Sequence, residues 1–276
     1  MTKIPCSVGV LTFNNEKTLA RALESVRDFD EIIVLDGGST DGTLDIARRF
    51  GARIVEQDSK YKNAEGRIID FAGVHNQHLA LATHKWCLYI DSDEYLSQEA
   101  RDEIKSIVER PIKDGDPLVY ELHRKTVIDG VCIECATAYP NYQKRFFHLD
   151  GVTGFIKPIH ERVNPKPGVK IGKLVHPEYV PLDMTPKEFY DKQRRYLQIE
   201  VERHKNDTIS EWLSGVVYGS ARSSLAYLYR HIKVLLFCRG TRMPLWVEWS
   251  HHWYNWNLIV LTGATLFRKG RRPASE

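Results

Sequence analysis

No apolar run approaches the length of about twenty residues that a bilayer-spanning helix needs. The N-terminus also lacks the basic segment and apolar stretch of a secretory signal, so the expected location is the cytoplasm. Cysteine is scarce, five residues in 276 at irregular positions, and makes no disulfide framework. Cys132 and Cys135 form a lone C-x-x-C without the second pair or the histidines of a zinc site, and are read as structural. An excess of one charge is missing as well: 39 Lys and Arg against 36 Asp and Glu leave +3, which does not argue for nucleic acid, and no such partner is expected. The first strand-to-helix turn, Thr12-Phe13-Asn14-Asn15, lacks the G-x-G-x-x-G of a dinucleotide-binding oxidoreductase and the glycine-rich phosphate loop of a nucleotidyltransferase.

What is present is an ordinary globular composition, 42% hydrophobic and 27% charged, in a chain long enough for one α/β domain and an appendage. Apolar strand-like runs at residues 7–12, 31–36, 53–56 and 86–91 alternate with helical spacings at 19–26, 44–50 and 68–82. This alternation predicts a mostly parallel sheet with right-handed crossovers and helices on both faces. Residues 117–163 carry short β-like runs, 118–122 and 145–148, and predict antiparallel additions and an acceptor-side lid. Thr185-Pro186-Lys187-Glu188 and residues 208–211 are capping boxes that open helices. The expected division is 1–183 as the α/β domain, with 1–115 its nucleotide-binding part and 116–183 its acceptor-side part, followed by a helical region over 184–276.

In a parallel sheet, ligands bind beyond the carboxyl ends of the strands. Three polar clusters fall there: Thr12-Phe13-Asn14, Asp36-Gly37-Gly38-Ser39 and Asp91-Ser92-Asp93. Asp28-Phe29-Asp30 and Asp114-Gly115-Asp116 also spell D-x-D but are read as solvated loops. Asp91-Ser92-Asp93 differs because the apolar run 86–90 fixes it at the mouth of a sheet. On an extended chain the two carboxylates would point to one side and suit Mg²⁺ or Mn²⁺, which complete their shells with water and phosphate. The bland alternative is a strand-end turn with capping aspartates. Ser39 and Asp41 are read equally well as helix caps, whereas Asp36 at the strand tip is read as functional.

The segments 7–14, 33–43 and 88–94 resemble, in order and spacing, the three signatures of family 2 glycosyltransferases. Asp91-Ser92-Asp93-Glu94 and a later Ile159-His160-Glu161 are similar to its lipopolysaccharide-core subgroup, which adds glucose or heptose to a lipid-linked saccharide. The resemblance implies a GT-A fold, a nucleotide-sugar donor, a UDP-sugar first, a saccharide or lipid-linked acceptor, a divalent cation (Mn or Mg) and inversion by one displacement. It implies that Thr12 and Phe13 border the base, with Asn14 and Ser39 in the same turns. Asp36 would accept from a uracil-type imide, Asp91 approach the ribose and Asp93 hold the metal. Phe13 stands where the family often has tyrosine and keeps the stacking surface without the hydroxyl. Arg67 and Asn76 fall where related enzymes place donor-pocket residues on the following helix.

An acceptor hydroxyl must lose its proton, and Glu161 is the expected base, in a loop bounded by Pro158 and Pro165. His160 is a third metal-ligand candidate beside Asp91 and Asp93. Asp150 and Asp183 compete for the base role, and a salt-bridged Glu161 with a packed His160 is the structural alternative. Near the end, Trp246, Trp249, Trp253 and Trp256 are spaced as one helical stripe beside the basic Arg268, Lys269, Arg271 and Arg272. This predicts either contact with an anionic membrane surface, on the inner face of the cytoplasmic membrane, or packing on the catalytic domain or in a homo-oligomer. The competing functions are a non-catalytic nucleotide-sugar-binding relative and a nucleotidyltransferase on a similar sheet.

Overall fold

The computed structural model describes residues 3–64, 66, 68–158 and 161–269. The strands, in chain order, are β1 (Ile4–Thr12), β2 (Phe29–Asp36), β3 (Arg53–Glu56), β4 (Trp86–Asp91), β5 (Tyr95–Leu96), β6 (Val119–Ile128), β7 (Val131–Cys132), β8 (Tyr142–His148), β9 (Val152–Ile156), β10 (Arg162–Pro165), β11 (Ile171–Lys173) and β12 (Glu178–Pro181). Helices α1 (Leu19–Ser25), α2 (Thr43–Arg49), α3 (Phe71–Leu81) and α4 (Gln98–Val108) alternate with the early strands. Contacts divide the chain into two compact units, Met1–Val127 with Pro140–Pro181, and Ile128–Tyr139 with Leu182–Glu276.

In the first unit the strand order is β3-β2-β1-β4-β8-β6-β12-β5. The first four are mutually parallel, as the continuous Val, Ile and Leu of β1, β2 and β4 require of strands covered on both faces. β8 then runs antiparallel between β4 and β6, the antiparallel extension that completes the expected GT-A arrangement. Register matters most for function: Thr12 pairs with Asp36, and Leu11 with Asp91, so three strand ends lie in one row. The α3 helix lies close on the sheet because Gly9 leaves room for it. A β-carbon there would meet the buried His78 ring at 2.4 Å. Asp28-Phe29-Asp30 is no loop, since β2 begins at Phe29, whose ring is buried in the core.

The second unit holds α5 (Pro186–Arg203), α6 (Ile209–Glu211), a π-helical segment (Trp212–Val217), α7 (Tyr218–Phe237), α8 (Leu245–Glu248) and α9 (Ser250–Lys269). Both capping boxes close as expected: the Thr185 and Thr208 side chains accept from the Glu188 and Glu211 N–H groups. The segment Ile128–Tyr139 lies in the range read as acceptor-side, yet it groups with these helices. The Glu134 and Cys135 N–H groups donate to the Thr241 carbonyl at 2.9 and 3.0 Å, Thr137 N–H donates to Glu248 Oε1 at 2.9 Å, and Cys135 is disulfide-bonded to Cys238. Cys135 therefore pairs across 103 residues rather than with Cys132.

The four tryptophans form two rows instead of one stripe. Seven residues are close to two helical turns, so Trp246 aligns with Trp253 and Trp249 with Trp256. The first pair packs on α5, Trp246 edge-on to Phe189 at 5.3 Å and Trp253 to Tyr190 at 5.0 Å, while Trp249 and Trp256 are exposed. Among the described residues no helix is long and apolar enough to cross a membrane. The basic side chains of Arg268, Lys269, Arg271 and Arg272 lie outside the described residues.

Candidate functional site

The turns after β1 and β2 are tied to each other by side chains. Asn14 adopts a left-handed backbone (φ 52), which turns the chain so that its N–H donates to Ser39 Oγ at 2.9 Å and its Oδ1 accepts from Thr40 N–H at 2.8 Å. Asp36 accepts from the Gly38 and Ser39 N–H groups at 2.8 and 2.9 Å and from the Ser39 hydroxyl at 2.5 Å. It thus organises its own turn as well as standing at the strand tip. Buried Thr12 donates to Asn15 Oδ1 at 3.3 Å, whereas the Phe13 ring is 58% exposed and free to stack.

Asp91 and Asp93 do not share one side of an extended strand. β4 ends at Asp91, and the Glu94 N–H donates back to the Asp91 carbonyl at 3.0 Å, closing a turn that leaves Asp93 exposed. Asp91 points into a group of charges that the sequence reading missed. Buried Arg145 donates to Asp91 Oδ2 at 2.9 Å and Glu94 Oε2 at 3.0 Å, and lies 3.6 Å from Glu178. Arg124 pairs with Glu94 and approaches Glu178 at 3.9 Å. The Tyr89 ring lies under Arg145, with the guanidinium carbon 4.3 Å from its centre. Burial works to raise the Asp91 pKa, but the Arg145 charge and hydrogen bond outweigh it and hold the carboxyl below its ordinary value. At Glu178 burial prevails over the two arginines and pushes the pKa up. A signal for Arg145 was in the sequence: an arginine preceding Phe146-Phe147 in a β-like run must find partners.

Between these strand ends lies a cleft of about 250 Å³, lined by Thr12, Phe13, Gln57, Phe71, His75, Asp91, Ser92 and Glu161 among others. Gln57 donates to the Leu35 carbonyl at 3.0 Å, and among the described residues its buried Oε1 has no hydrogen-bond partner. His75 is stacked on Phe155, ring centres 4.5 Å apart, and its Nε2 lies 3.7 Å from Glu161 Oε1. That contact holds the Glu161 carboxyl below its usual pKa although burial opposes it, so Glu161 is ionised near neutrality. The structure thus brings Thr12, Phe13, Asp91 and Glu161 together in one cleft, with Asp36 paired beside Thr12 at the neighbouring strand end and Asp93 in the turn after β4.

Other expected site residues fall elsewhere. Asn76 spends both ends of its amide on the Phe155 backbone, accepting at 2.8 Å and donating at 3.0 Å, so it holds β9 against α3. Asp150 is exposed and paired with Lys85 at 3.2 Å. Asp183 belongs to the second unit. Arg67 and His160 lie outside the described residues, among which no cluster of three His, Cys, Asp or Glu side chains is placed to hold a metal.

A parallel sheet with a cleft at its carboxyl edge, lined by an exposed aromatic ring and two carboxylates, is the place where α/β proteins of this class bind ligands. Residues 7–119 match the model of glycosyl transferase family 2. The SPbeta prophage-derived glycosyltransferase SunS of Bacillus subtilis (strain 168) is 30% identical over 155 residues, covering 55% of this chain and 33% of that protein. An uncharacterized glycosyltransferase of Rickettsia typhi is 36% identical over 102 residues, 37% of this chain and 32% of the relative. The chain therefore spans about a third of the length of these curated relatives. The crystal structure of S. aureus TarS 1-349 in complex with UDP-GlcNAc covers 98% of this chain and 93% of that one, at 15% identity and a TM-score of 0.47.

Proposed function

We propose that this chain carries out inverting, metal-dependent glycosyl transfer from a nucleoside diphosphate sugar, a UDP-sugar first, to a saccharide or lipid-linked saccharide in cell-envelope glycan synthesis. The observation that carries the proposal is the convergence in one cleft of a free aromatic face, Phe13, and two ionised carboxylates, Asp91 and Glu161. Phe13 stacks on the base, Asp36 and Gln57 Oε1 supply acceptors for its imide N–H, and Asp91, locked by Arg145, meets the ribose.

The residues at the β4 end fit a hard cation. Asp93 is exposed and Asp91 has one oxygen beyond Arg145, an all-oxygen set that Mg²⁺ or Mn²⁺ completes with water and phosphate. Bound there, the ion would offset charge on the departing diphosphate. Glu161 takes the proton of the acceptor hydroxyl as its oxygen bonds to the anomeric carbon. The bond from that carbon to the diphosphate breaks on the opposite face, and one displacement inverts the configuration. A lipid-linked acceptor would place the reaction at the inner face of the cytoplasmic membrane, where exposed Trp249 and Trp256 are suited to the interface.

Nucleoside diphosphate release from a panel of uridine, guanosine and thymidine diphosphate sugars, with Mn²⁺ titrated against a chelator, tests this. Wild type should release diphosphate, and Asp93→Asn should lose the metal-supported part while keeping the fold. No release with any donor would leave a sugar-nucleotide-binding protein, pyrophosphate release a nucleotidyltransferase, and full activity in Asp93→Asn would remove the metal role.

A further inference from the structure

The distribution of side chains on α7 is inverted. A helix at the surface of a water-soluble unit normally turns its apolar stripe inward. Here Leu225, Tyr229, Ile232 and Leu236 are exposed by 67, 61, 48 and 69%, with Tyr218 and Leu228 beside them. Their spacing, four, three and four residues, makes one continuous outward stripe. The opposite side of α7 carries Ser220, which is buried, and the partly buried Ser223, Tyr227 and Val234. α9 repeats the pattern, with Thr262 buried and Trp256, Val260 and Phe267 exposed. Contiguous exposed apolar surface of this kind marks an interaction site.

Charge identifies the occupant. Residues 212–247 contain no Asp or Glu and five basic residues, Arg222, Arg230, Lys233, Arg239 and Arg242. At 100° per residue, Arg222 and Lys233 fall along one flank of the stripe. A second copy of the same face would bring these like charges together, whereas an anionic headgroup layer neutralises them. The three basic residues within α7 keep the helix from spanning the bilayer, and its 20 residues suit lying along the interface.

We infer that the outward face of α7 is a docking surface for an anionic lipid bilayer. Leu225, Tyr229, Ile232 and Leu236 enter the acyl boundary, and Arg222 and Lys233 meet the headgroups. This names the surface that would hold the proposed transferase beside a lipid-linked acceptor, and it is tested by binding without turnover. The probe is flotation with phosphatidylcholine vesicles, with and without phosphatidylglycerol, at low and high salt. Wild type should float with the anionic vesicles at low salt and less at high salt. The variant combining Leu225→Glu with Ile232→Glu alters two exposed positions, so it should keep its helical circular dichroism and lose binding by at least about tenfold. Arg222→Glu with Lys233→Glu should lose the preference for anionic over neutral vesicles. Wild type that stays unbound, or an apolar-face variant that floats like wild type, overturns the inference. A dimer seen by light scattering and abolished by Leu225→Glu with Ile232→Glu, without vesicle binding, assigns the face to a second copy and overturns it equally.

Discussion

One nitrogen of Arg145 serves two carboxylates, Asp91 at 2.9 Å and Glu94 at 3.0 Å, so the residue at the mouth of the cleft is fixed by a charge buried behind it. Three carboxylates, Asp91, Glu94 and Glu178, surround two guanidiniums, Arg124 and Arg145. Such a cluster is costly to bury and more costly to break, because removing one partner leaves the others desolvated and unpaired.

Arg145→Met should therefore destabilise the protein by about 3–5 kcal/mol, the usual cost of breaking a buried pair. Arg145→Lys restores the charge without the planar fork and should recover part of the stability while leaving Asp91 less well oriented. Urea unfolding measures the first effect and donor affinity by calorimetry the second. Stability of Arg145→Met equal to wild type would show that the cluster is not held by this residue.

Glu161→Gln keeps the size of the side chain and removes the proton acceptor. Turnover should fall by roughly 10²–10⁴-fold with donor affinity little changed, the range for loss of a general base. Asp150→Asn should be silent in the same assay, since that carboxylate is exposed and paired with Lys85. Loss of donor binding in Glu161→Gln would make the residue structural through its contact with His75.

The parallel half of the sheet was legible because each buried strand is an uninterrupted apolar run ending in polar residues, and β3 and β4 span the residues that the pattern indicates. Thr185 and Thr208 revealed their helices through local chemistry. What the sequence hid depends on contacts between distant residues. Asn76 looked available until Phe155, 79 residues on, took both ends of its amide. Asp91 and Asp93 looked like a matched pair because the turn that separates them is set by a backbone hydrogen bond, which side-chain identities do not announce. Arg145, in the β-like run 145–148, was overlooked as a lone charge although it implied a partner, and Glu178 carried no pattern that marked it as buried. The tryptophan spacing was visible, but choosing which row faces outward required the positions of Phe189 and Tyr190.

Acid stability should depend on His78, on helix α3. Its ring is fully buried against Gly9, and among the described residues neither nitrogen has a hydrogen-bond partner. Burial first, and the nearby His75 second, lower its pKa to about 3 from an ordinary 6.5. Between those values the unfolded chain binds the proton and the folded chain does not, so stability falls as pH drops below about 6.5 and the loss is complete only near 3. At about 1.36 kcal/mol per unit, one such site costs roughly 2 kcal/mol at pH 5. His123, His148 and His251 are lowered by burial and act in the same direction, while the depressed Asp91 and Glu161 carboxyls add their losses only in stronger acid. Urea unfolding from pH 7.5 to 5 should therefore show falling stability on acidification. His78→Phe keeps an aromatic ring over Gly9 and removes the titrating nitrogen, so its pH dependence should be shallower by up to one proton. An unchanged slope in His78→Phe would show that the acid sensitivity arises elsewhere, and a steeper one would reverse the sign assigned to this buried ring.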